Sequence, residues 1–333
     1  MLVRCDGGDA IGLGHVSRCL SLAEAVDECG VRAIFFGRFG EAAGQMISDA
    51  GFAWEPANVE TGGQEDIAAL HAAAIRHNAK LVVLDSYAID HDYVATVNER
   101  IGALPSYPCW AVLNPTVCAR HLSYGGGTQE RFLGSEFLPV RRALRKRRPQ
   151  HVPPTGDVRH VLVTIGGFDR YDLTCRVVDA LTVVARDAVI HAVVGHSYAN
   201  GETLDLLLGR CGPESRLLRQ LPNLGEALTA ADLCVCGGGM TKDESAYMGV
   251  PTIVISQTDD EDRETKEFAR CGLAVDFGLG YVLTDEQLRE RLAAVIADRP
   301  LRERLRRTAW ARFPADPMLA VARAIAGLIA ARI

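Results

Sequence analysis

The sequence predicts an α/β protein of two domains, each built on a parallel β-sheet covered by helices. Its 333 residues are more than one typical compact domain holds. In both halves, short apolar runs alternate with amphipathic stretches, which is typical of buried parallel strands joined by helices. Residues 141–157 separate the halves with six basic residues in eight positions, followed by three prolines and a glycine. This composition favours an interdomain linker.

The predicted elements follow the same alternation along the chain. The first half has four strand-like runs, MLVRC, RAIFF, KLVVLD and CWAVLN, with helices over 17–30 and 67–79. The second half has HVLVTIGG, AVIHAVVG, DLCVCGGG and PTIVIS, with helices over 173–185, 224–231 and 243–249. Two helices broken at Pro300 and a terminal helix follow. We predict an N-terminal domain over 1–148, a C-terminal domain over 156–312, and a helix over 313–333 that packs back towards the N-terminal domain.

Composition and charge argue against several classes of protein. A net charge of −6 lacks the basic footprint of a nucleic-acid-binding protein. We expect no signal peptide in MLVRCDGG, and the terminal AVARAIAGLIAARI is shorter than the roughly 20 residues of a membrane span. Ten scattered cysteines favour free thiols in a cytoplasmic protein. The basic run 141–148 is either a solvated face or a surface that attracts an acidic ligand or membrane headgroups, so peripheral membrane contact stays open.

Three glycine loops follow predicted strands, at the edge where open α/β sheets bind ligands. They are GLGH at 12–15, TIGGFD at 164–169 and CGGGMTKDE at 236–244. The third opens a helix whose N–H groups and dipole suit an anion, and glycines let a diphosphate approach the backbone. The predicted diphosphate-binding residues are Gly237, Gly238, Gly239, Met240 and Thr241, together with Gly166 and Gly167. The alternative is that each glycine turn only permits tight strand–helix packing.

Glu244 lies on the first turn of the helix that follows the third loop. A carboxylate near a helix N-terminus is favourable in its own right. The functional alternative is that Glu244 accepts hydrogen bonds from the two hydroxyls of a ribose whose phosphates bind the same loop.

The segment GGGMTKDESAYMGVPTIVI resembles the nucleotide-binding segment of two-domain nucleotide-sugar enzymes of the GT-B type. It is similar to that of the N-acetylglucosaminyltransferase that makes lipid II. The resemblance implies two Rossmann-like domains whose parallel sheets face a cleft. It also implies that Glu244 binds the ribose of UDP, since the matching glutamate does so in that family.

Four further segments resemble the UDP-2,4-diacetamido-2,4,6-trideoxy-β-L-altropyranose hydrolases of pseudaminic acid biosynthesis and the related spore-coat polysaccharide proteins. They are RCDGGDAIGLGHVSRCLSLAEAV, VVLDSYAID, FLGSEFLPVRRAL and HVLVTIGGFD. This resemblance implies that His15 is the base that activates water at the anomeric carbon. An imidazole suits that role near neutral pH. The alternative is a histidine that hydrogen-bonds the neighbouring loop backbone.

Five residues are predicted to bind the sugar, and the same resemblance supports two of them. Asp85 and Tyr87 match an Asp-X-Tyr element, although Asp85 is equally suited to cap the next helix. Gly12, Gly14 and Asp243 complete the predicted sugar-binding set. We expect no metal site and no cofactor.

The chain departs from the hydrolases where the sugar would be bound. It has LNPT at 113–116 in place of an Asp-Asp pair, Asp243 in place of asparagine, and the acidic loop SQTDDEDRE at 256–264. A carboxylate at 243 would repel a diphosphate unless it is turned away or paired, for example with Lys242. The leading hypothesis is a nucleotide-sugar hydrolase; the alternatives are an inverting glycosyltransferase and a nucleotide-binding module without catalysis.

Overall fold

The computed structural model describes residues 1–8, 11–101, 110–124, 128–195, 198–219, 221 and 224–331. Its strands in chain order are β1 Leu2–Cys5, β2 Ile34–Gly37, β3 Ala53–Pro56, β4 Val82–Asp85, β5 Ala111–Asn114, β6 Glu130–Leu133, β7 His160–Thr164, β8 Val189–Val194, β9 Arg216–Arg219, β10 Leu233–Cys236, β11 Thr252–Ser256 and β12 Val275–Leu279.

The helices alternate with these strands. They are α1 Gly14–Asp27, α2 Glu41–Asp49, α3 Gln64–Arg76, α4 His91–Ile101, α5 Arg142–Arg145, α6 Leu173–Val184, α7 Gly201–Leu208, α8 Gly225–Ala230, α9 Thr241–Tyr247, α10 Asp259–Arg270, α11 Asp285–Ala297, α12 Arg299–Arg312 and α13 Leu319–Ala330. Short 3₁₀ turns lie at Ala119–His121 and Ser135–Phe137. No described helix has the length and the apolar character that a membrane crossing requires.

The chain divides into two compact units. Unit 1 contains residues 1–142 and 316–333, and unit 2 contains residues 143–315. Unit 1 has a four-stranded sheet in the order β3-β2-β1-β4 and a two-stranded sheet of β5 and β6. All pairings in both sheets are parallel. Helix α13 packs on α1, where Met318, Val321 and Ile325 are buried against Leu22 and Val26.

Unit 2 has one six-stranded sheet in the order β12-β11-β10-β7-β8-β9. Every pair in it is parallel. The core consists of the apolar side chains of the central strands and of helices α6 and α11. The carboxyl ends of β7, β10 and β11 are neighbours, so the loops that follow these three strands lie side by side.

Four strands lie outside the runs predicted from apolar continuity: β3, β6, β9 and β12. Three of them are edge strands, and the fourth belongs to a two-stranded sheet. An edge strand is buried less completely, so it tolerates charged residues, as in the AWEP of β3 and the RLLR of β9. The predicted strand CWAVLN is β5, but its first residue, Cys109, lies outside the described residues.

Arg141, Arg142 and Arg148 of the basic run 141–148 are held by the protein itself, which corrects the interpretation of these three residues as a solvated face. Lys146 and Arg147 are exposed. In unit 1, Arg141 pairs with Glu24 of α1 at 2.9 Å, and Arg142 pairs with Asp27 and Glu28 at 3.0 and 2.8 Å.

In unit 2, Arg148 lies between the rings of Tyr247 and Trp310, 4.4 and 4.5 Å from their centroids, and donates to the carbonyls of Trp310 and Phe313. The unit boundary therefore falls inside this run, at 142/143, and not after it. The predicted break between the last two helices of the C-terminal domain lies at Asp298, which caps α12, and Pro300 occupies the first turn of α12.

Candidate active site

The first glycine loop connects β1 to α1. The N–H of Gly12 donates to the carbonyl of Gly8 at 2.7 Å, and the N–H of Gly8 donates back to Gly12 at 3.2 Å. Gly12 has φ +79°, a left-handed conformation that favours glycine. Gly14 is different, because its backbone is not left-handed and a Cβ there would meet no atom within 4 Å. The fold therefore explains Gly12 but leaves open space in front of Gly14.

His15 is the second residue of α1, and Asp85 is the last residue of β4. They meet because β1 and β4 are neighbours, with Cys5 in register with Asp85, and α1 begins above the end of β1. The Nδ1 atom of His15 lies 2.9 Å from Oδ1 of Asp85. His15 is 4% exposed. Its imidazole is therefore fixed by a carboxylate and not by the loop backbone.

Arg18 binds the same carboxylate in two places. Its Nε donates to Oδ2 and its Nη2 to Oδ1, both at 2.6 Å, and the Cys19 thiol donates to Oδ2 at 3.3 Å. His15, Arg18 and Cys19 share one face of α1 because they stand at positions i, i+3 and i+4. Asp85 thus accepts from three side chains of one helix and does not cap the helix that follows it.

The Nη2 atom of Arg18 also lies 2.6 Å from Nδ1 of His15. Nδ1 of His15 and Oδ1 of Asp85 each lie 2.6 Å from Nη2 and 2.9 Å from each other, so the angle Nδ1–Nη2–Oδ1 is roughly 70°. The two N–H bonds of Nη2 diverge by about 120°. A linear bond from Nη2 to the carboxylate therefore excludes a linear bond to Nδ1. We assign the Nδ1 proton to the bond with Asp85, which leaves Nε2 of His15 as the acceptor nitrogen.

The pKa of Asp85 is lowered to about 2. Burial alone would raise it, but the hydrogen bonds from His15 and Arg18 and the Arg18 charge outweigh burial. Asp85 is therefore a carboxylate at neutral pH. A buried imidazole whose Nδ1 donates to a fixed carboxylate is an arrangement suited to general base catalysis at Nε2.

Tyr87 stands at the rim of this cluster. Its ring meets that of His15 edge-to-face, with the centroids 4.7 Å apart, and the ring is 90% exposed. An exposed aromatic ring beside a buried imidazole offers a flat surface to a ligand.

The third glycine loop follows β10, and its three glycines differ in role. A Cβ at Gly237 would lie 2.1 Å from the carbonyl oxygen of Ile165, and one at Gly238 would lie 2.6 Å from Cβ of Glu261. These two glycines are required by close packing. At exposed Gly239 a Cβ would meet nothing within 4 Å. Open space for a ligand therefore lies at Gly239.

Within the described residues, the N–H groups of Gly239 and Met240 donate to no protein acceptor. Helix α9 has only seven residues, so its dipole is short. The sequence predicted that the N–H groups and the dipole of this helix would together suit an anion; the short helix leaves mainly the loop N–H groups for that role. Thr241 begins α9, and Glu244 follows on its first turn, half-buried.

The second glycine loop lies beside the third. Gly166 has φ +133°, and Gly167 has open space where a Cβ would stand. The side chain of Gln257, just after β11, holds this loop: its Nε2 donates to the carbonyl of Phe168 at 2.9 Å, and its Oε1 accepts from the N–H of Arg170 at 2.9 Å. Gln257 therefore ties the loops after β7 and β11 together across the end of β10.

Asp243 is buried and paired within the protein. Its Oδ2 accepts from Nζ of Lys242 at 3.1 Å, and it is 8% exposed. Burial raises its pKa above the usual range for aspartate, although Lys242 opposes that shift. The sequence predicted this residue as a sugar ligand; in the structure it is the paired carboxylate that the same sequence argument offered as the alternative.

Asn114 occupies the position where the resemblance predicts an acidic pair. Its Oδ1 accepts from the N–H and hydroxyl of Thr116 at 3.0 and 2.8 Å, and its Nδ2 donates to the Tyr124 hydroxyl at 2.8 Å. The LNPT segment is thus a neutral turn closed on itself.

Sequence reasoning gave no role to Arg18, Cys19 and Gln257. The spacing of Arg18 and Cys19 from His15 was the available signal. Among the described residues, no group of three or more His, Cys, Asp or Glu side chains is arranged to hold a metal ion.

No model of a known protein family matches the sequence. An uncharacterized protein of Methanocaldococcus jannaschii is 26% identical over 278 residues, which are 76% of this chain and 55% of that protein. The spore coat polysaccharide biosynthesis protein SpsG of Bacillus subtilis is 27% identical over 181 residues, 54% of this chain and 53% of SpsG. The chain spans about half the length of these curated relatives.

Solved structures match nearly the whole chain. The glycosyltransferase VinC in complex with dTDP has a TM-score of 0.65 at 16% identity, covering 98% of this chain and 99% of VinC. MurG of Acinetobacter baumannii has a TM-score of 0.60 at 14% identity, covering 99% of both chains. This chain has the GT-B fold. The predicted fold class, with two Rossmann-like domains on parallel sheets, is confirmed.

The SpsG match supports the predicted resemblance to spore-coat polysaccharide proteins. None of the matches above carries the name of a hydrolase of pseudaminic acid biosynthesis. At 14–16% identity, these solved structures establish the fold of this chain alone.

Proposed function

We propose that this protein is an enzyme that takes a nucleoside diphosphate sugar and transfers its glycosyl group to a hydroxyl acceptor with inversion at the anomeric carbon. The observation that carries this proposal is the fixed imidazole of His15, whose Nδ1 lies 2.9 Å from the Asp85 carboxylate that Arg18 also binds. The GT-B fold supports the choice of donor.

In the proposed reaction, Nε2 of His15 takes the proton of the acceptor hydroxyl as the oxygen attacks the anomeric carbon. The bond between that carbon and the β-phosphate oxygen breaks, and the nucleoside diphosphate leaves with the bonding electrons. Asp85 stabilises the imidazolium that forms. Tyr87 and Gly14 would border the sugar.

The proposed nucleotide-binding residues are on unit 2. The N–H groups of Gly239 and Met240 would bind phosphate oxygens, and Gly166 and Gly167 on the neighbouring loop would admit the rest of the diphosphate. Glu244 would accept the ribose hydroxyls. The resemblance of this segment favours UDP, whereas VinC and SsfS6 were solved with thymidine diphosphates, so the base is a pyrimidine in this proposal.

A second candidate function is hydrolysis of the same donor, with water in place of the acceptor. The Gly-Leu-Gly-His-X-X-Arg-Cys-Leu element favours it, because that element resembles the nucleotide-sugar hydrolases and supplies His15, Arg18 and Cys19 of the observed cluster.

Incubation with UDP-sugars and dTDP-sugars tests both functions. The proposal expects nucleoside diphosphate release that depends on an added hydroxyl acceptor and gives a product of inverted configuration. Release together with free sugar, without any acceptor, would establish the hydrolase. Binding of nucleoside diphosphate without turnover of any donor would contradict both and indicate a binding module.

A further inference from the structure

Lys242 lies beneath the third glycine loop and is almost completely buried, with 2% of its surface exposed. Its Nζ donates to the carbonyls of Gly238 and Gly239 at 3.0 and 3.4 Å. It also contacts Oδ2 of Asp243 at 3.1 Å and Oε1 of Glu264 at 3.0 Å. Burial alone would lower its pKa, but these two carboxylates raise it, so Lys242 is a cation.

A lysine just after a glycine-rich loop is often a direct phosphate ligand. Lys242 differs, because an ammonium has three donors and four protein oxygens already surround this one. No N–H remains for a phosphate. The contribution of Lys242 must therefore pass through the groups that it holds.

Those groups are two peptide carbonyls. In a planar trans peptide the C=O of one residue and the N–H of the next point in opposite directions. Holding the carbonyl of Gly238 inward therefore turns the N–H of Gly239 outward, and holding the carbonyl of Gly239 does the same for Met240. Among the described residues, neither of these two N–H groups donates to a protein acceptor. Gly239 has no Cβ to restrict its backbone, so this loop needs an external restraint.

We propose that Lys242 is a positioning residue: it fixes the directions of the Gly239 and Met240 N–H groups for a diphosphate and does not itself touch the phosphates. The inference rests on the proposed function, which places the diphosphate on this loop. It assigns the buried ion cluster of Lys242, Asp243 and Glu264 to recognition of the diphosphate and not of the sugar.

The test compares Lys242→Met with Lys266→Met. Both remove one lysine charge, but Lys266 is on the exposed part of α10, paired with Asp262, and is not in contact with the loop. Affinity for UDP, dTDP and the corresponding nucleosides is measured by calorimetry at several salt concentrations.

We expect Lys242→Met to weaken diphosphate binding by about 10- to 100-fold, the scale of losing well-placed hydrogen bonds to a charged ligand. Nucleoside affinity should stay unchanged, which a general loss of structure would not allow. The salt dependence of diphosphate binding should also match that of the wild type, because no charge that touches the ligand is lost. A flatter salt dependence would make Lys242 a direct phosphate ligand and overturn the proposal.

A second arm needs no ligand. In amide NMR spectra of the free protein, Lys242→Met should shift the Gly239 and Met240 signals and speed their hydrogen exchange, whereas Lys266→Met should not. Lys242→Met leaves the buried Asp243 carboxylate without its lysine partner. The double variant that also carries Asp243→Asn is therefore measured alongside it. Unchanged loop signals in the folded double variant would overturn the positioning role. Failure of the wild type to bind either diphosphate, with the loop signals shifted as expected, would instead refute the proposed function.

Discussion

The imidazole Nδ1 of His15 lies 2.9 Å from the Oδ1 atom of Asp85, and the guanidinium of Arg18 binds both oxygens of that carboxylate. Asp85 therefore accepts hydrogen bonds from two different kinds of group. A guanidinium, as in Arg18, always carries its proton in proteins, whereas an imidazole, as in His15, can lose one. The arrangement fixes the orientation of the ring and the nitrogen that accepts a proton. The negative charge of Asp85 can therefore be tested directly by substitution.

Asp85→Asn should lower kcat by about 10²- to 10⁴-fold, because an amide keeps the size of the side chain but loses the charge that stabilises the imidazolium. Diphosphate affinity should change little, since the proposed nucleotide-binding residues are on the other unit. Steady-state kinetics and calorimetry measure the two effects. Asp92→Asn, at a side chain that is 99% exposed, is the matched control. Equal activity in the two variants would remove Asp85 from catalysis.

The lowered pKa of Asp85 also predicts how acid affects stability. Its pKa is about 2 in the folded protein and near 3.8 when unfolded, so the unfolded state takes up the proton first. Asp85 therefore contributes about 2 kcal/mol to the free energy of unfolding above pH 4, and this contribution is lost as the pH falls towards 2. In urea unfolding, the free energy of unfolding should therefore fall less between pH 7 and pH 3 for Asp85→Asn than for the wild type. Parallel curves for the two proteins would contradict this.

Glu244→Ala should weaken UDP or dTDP binding by about 1–3 kcal/mol, the range for losing hydrogen bonds to a charged group. Both Glu244 and Glu286 are acidic residues in the first turn of a helix, α9 and α11 respectively. Glu286→Ala therefore controls for the helix-terminal charge and should bind as the wild type does. Calorimetry with unchanged affinity in a folded Glu244→Ala protein would reject the ribose assignment.

The last two residues of the basic run, Arg147 and Arg148, should differ in their effect on stability. Arg148→Ala should lower the free energy of unfolding by about 2–3 kcal/mol, because it removes two aromatic stacking contacts and hydrogen bonds to backbone carbonyls. Arg147→Ala should cost at most about 1 kcal/mol, since the pair with Glu226 is exposed. Chemical denaturation measures both. Similar losses would favour a solvated Arg148, one of the two alternatives that the sequence left open.

Apolar continuity was sufficient to predict the central strands of both units. It missed β3, β9 and β12 because edge strands are buried less completely and can carry polar side chains. The glycine loops were correctly placed after β7 and β10, since a parallel sheet brings the ends of its strands to one edge. Single-sequence patterns do not show which glycines the packing itself requires, and only the structure separates Gly237 and Gly238 from Gly239.

The candidate site was predicted less completely than the fold. His15, Asp85 and Tyr87 were named from the resemblance, and they meet because β1 and β4 are adjacent. Arg18 was missed, although its helical spacing from His15 was visible. The pairing of Asp243 with Lys242 was weighed from the sequence, because the two residues are adjacent. The contact of Lys242 with Glu264 of α10 is tertiary, and local sequence does not encode it.

The most direct test of the account is the turnover number of His15→Asn, measured as nucleoside diphosphate release from the donor that the wild type uses. His91→Asn is the control, since the His91 side chain is 74% exposed. The account predicts a fall in kcat of about 10²- to 10⁴-fold for His15→Asn, with diphosphate affinity unchanged and His91→Asn fully active. A folded His15→Asn protein that turns over the same donor at the wild-type rate would contradict the account.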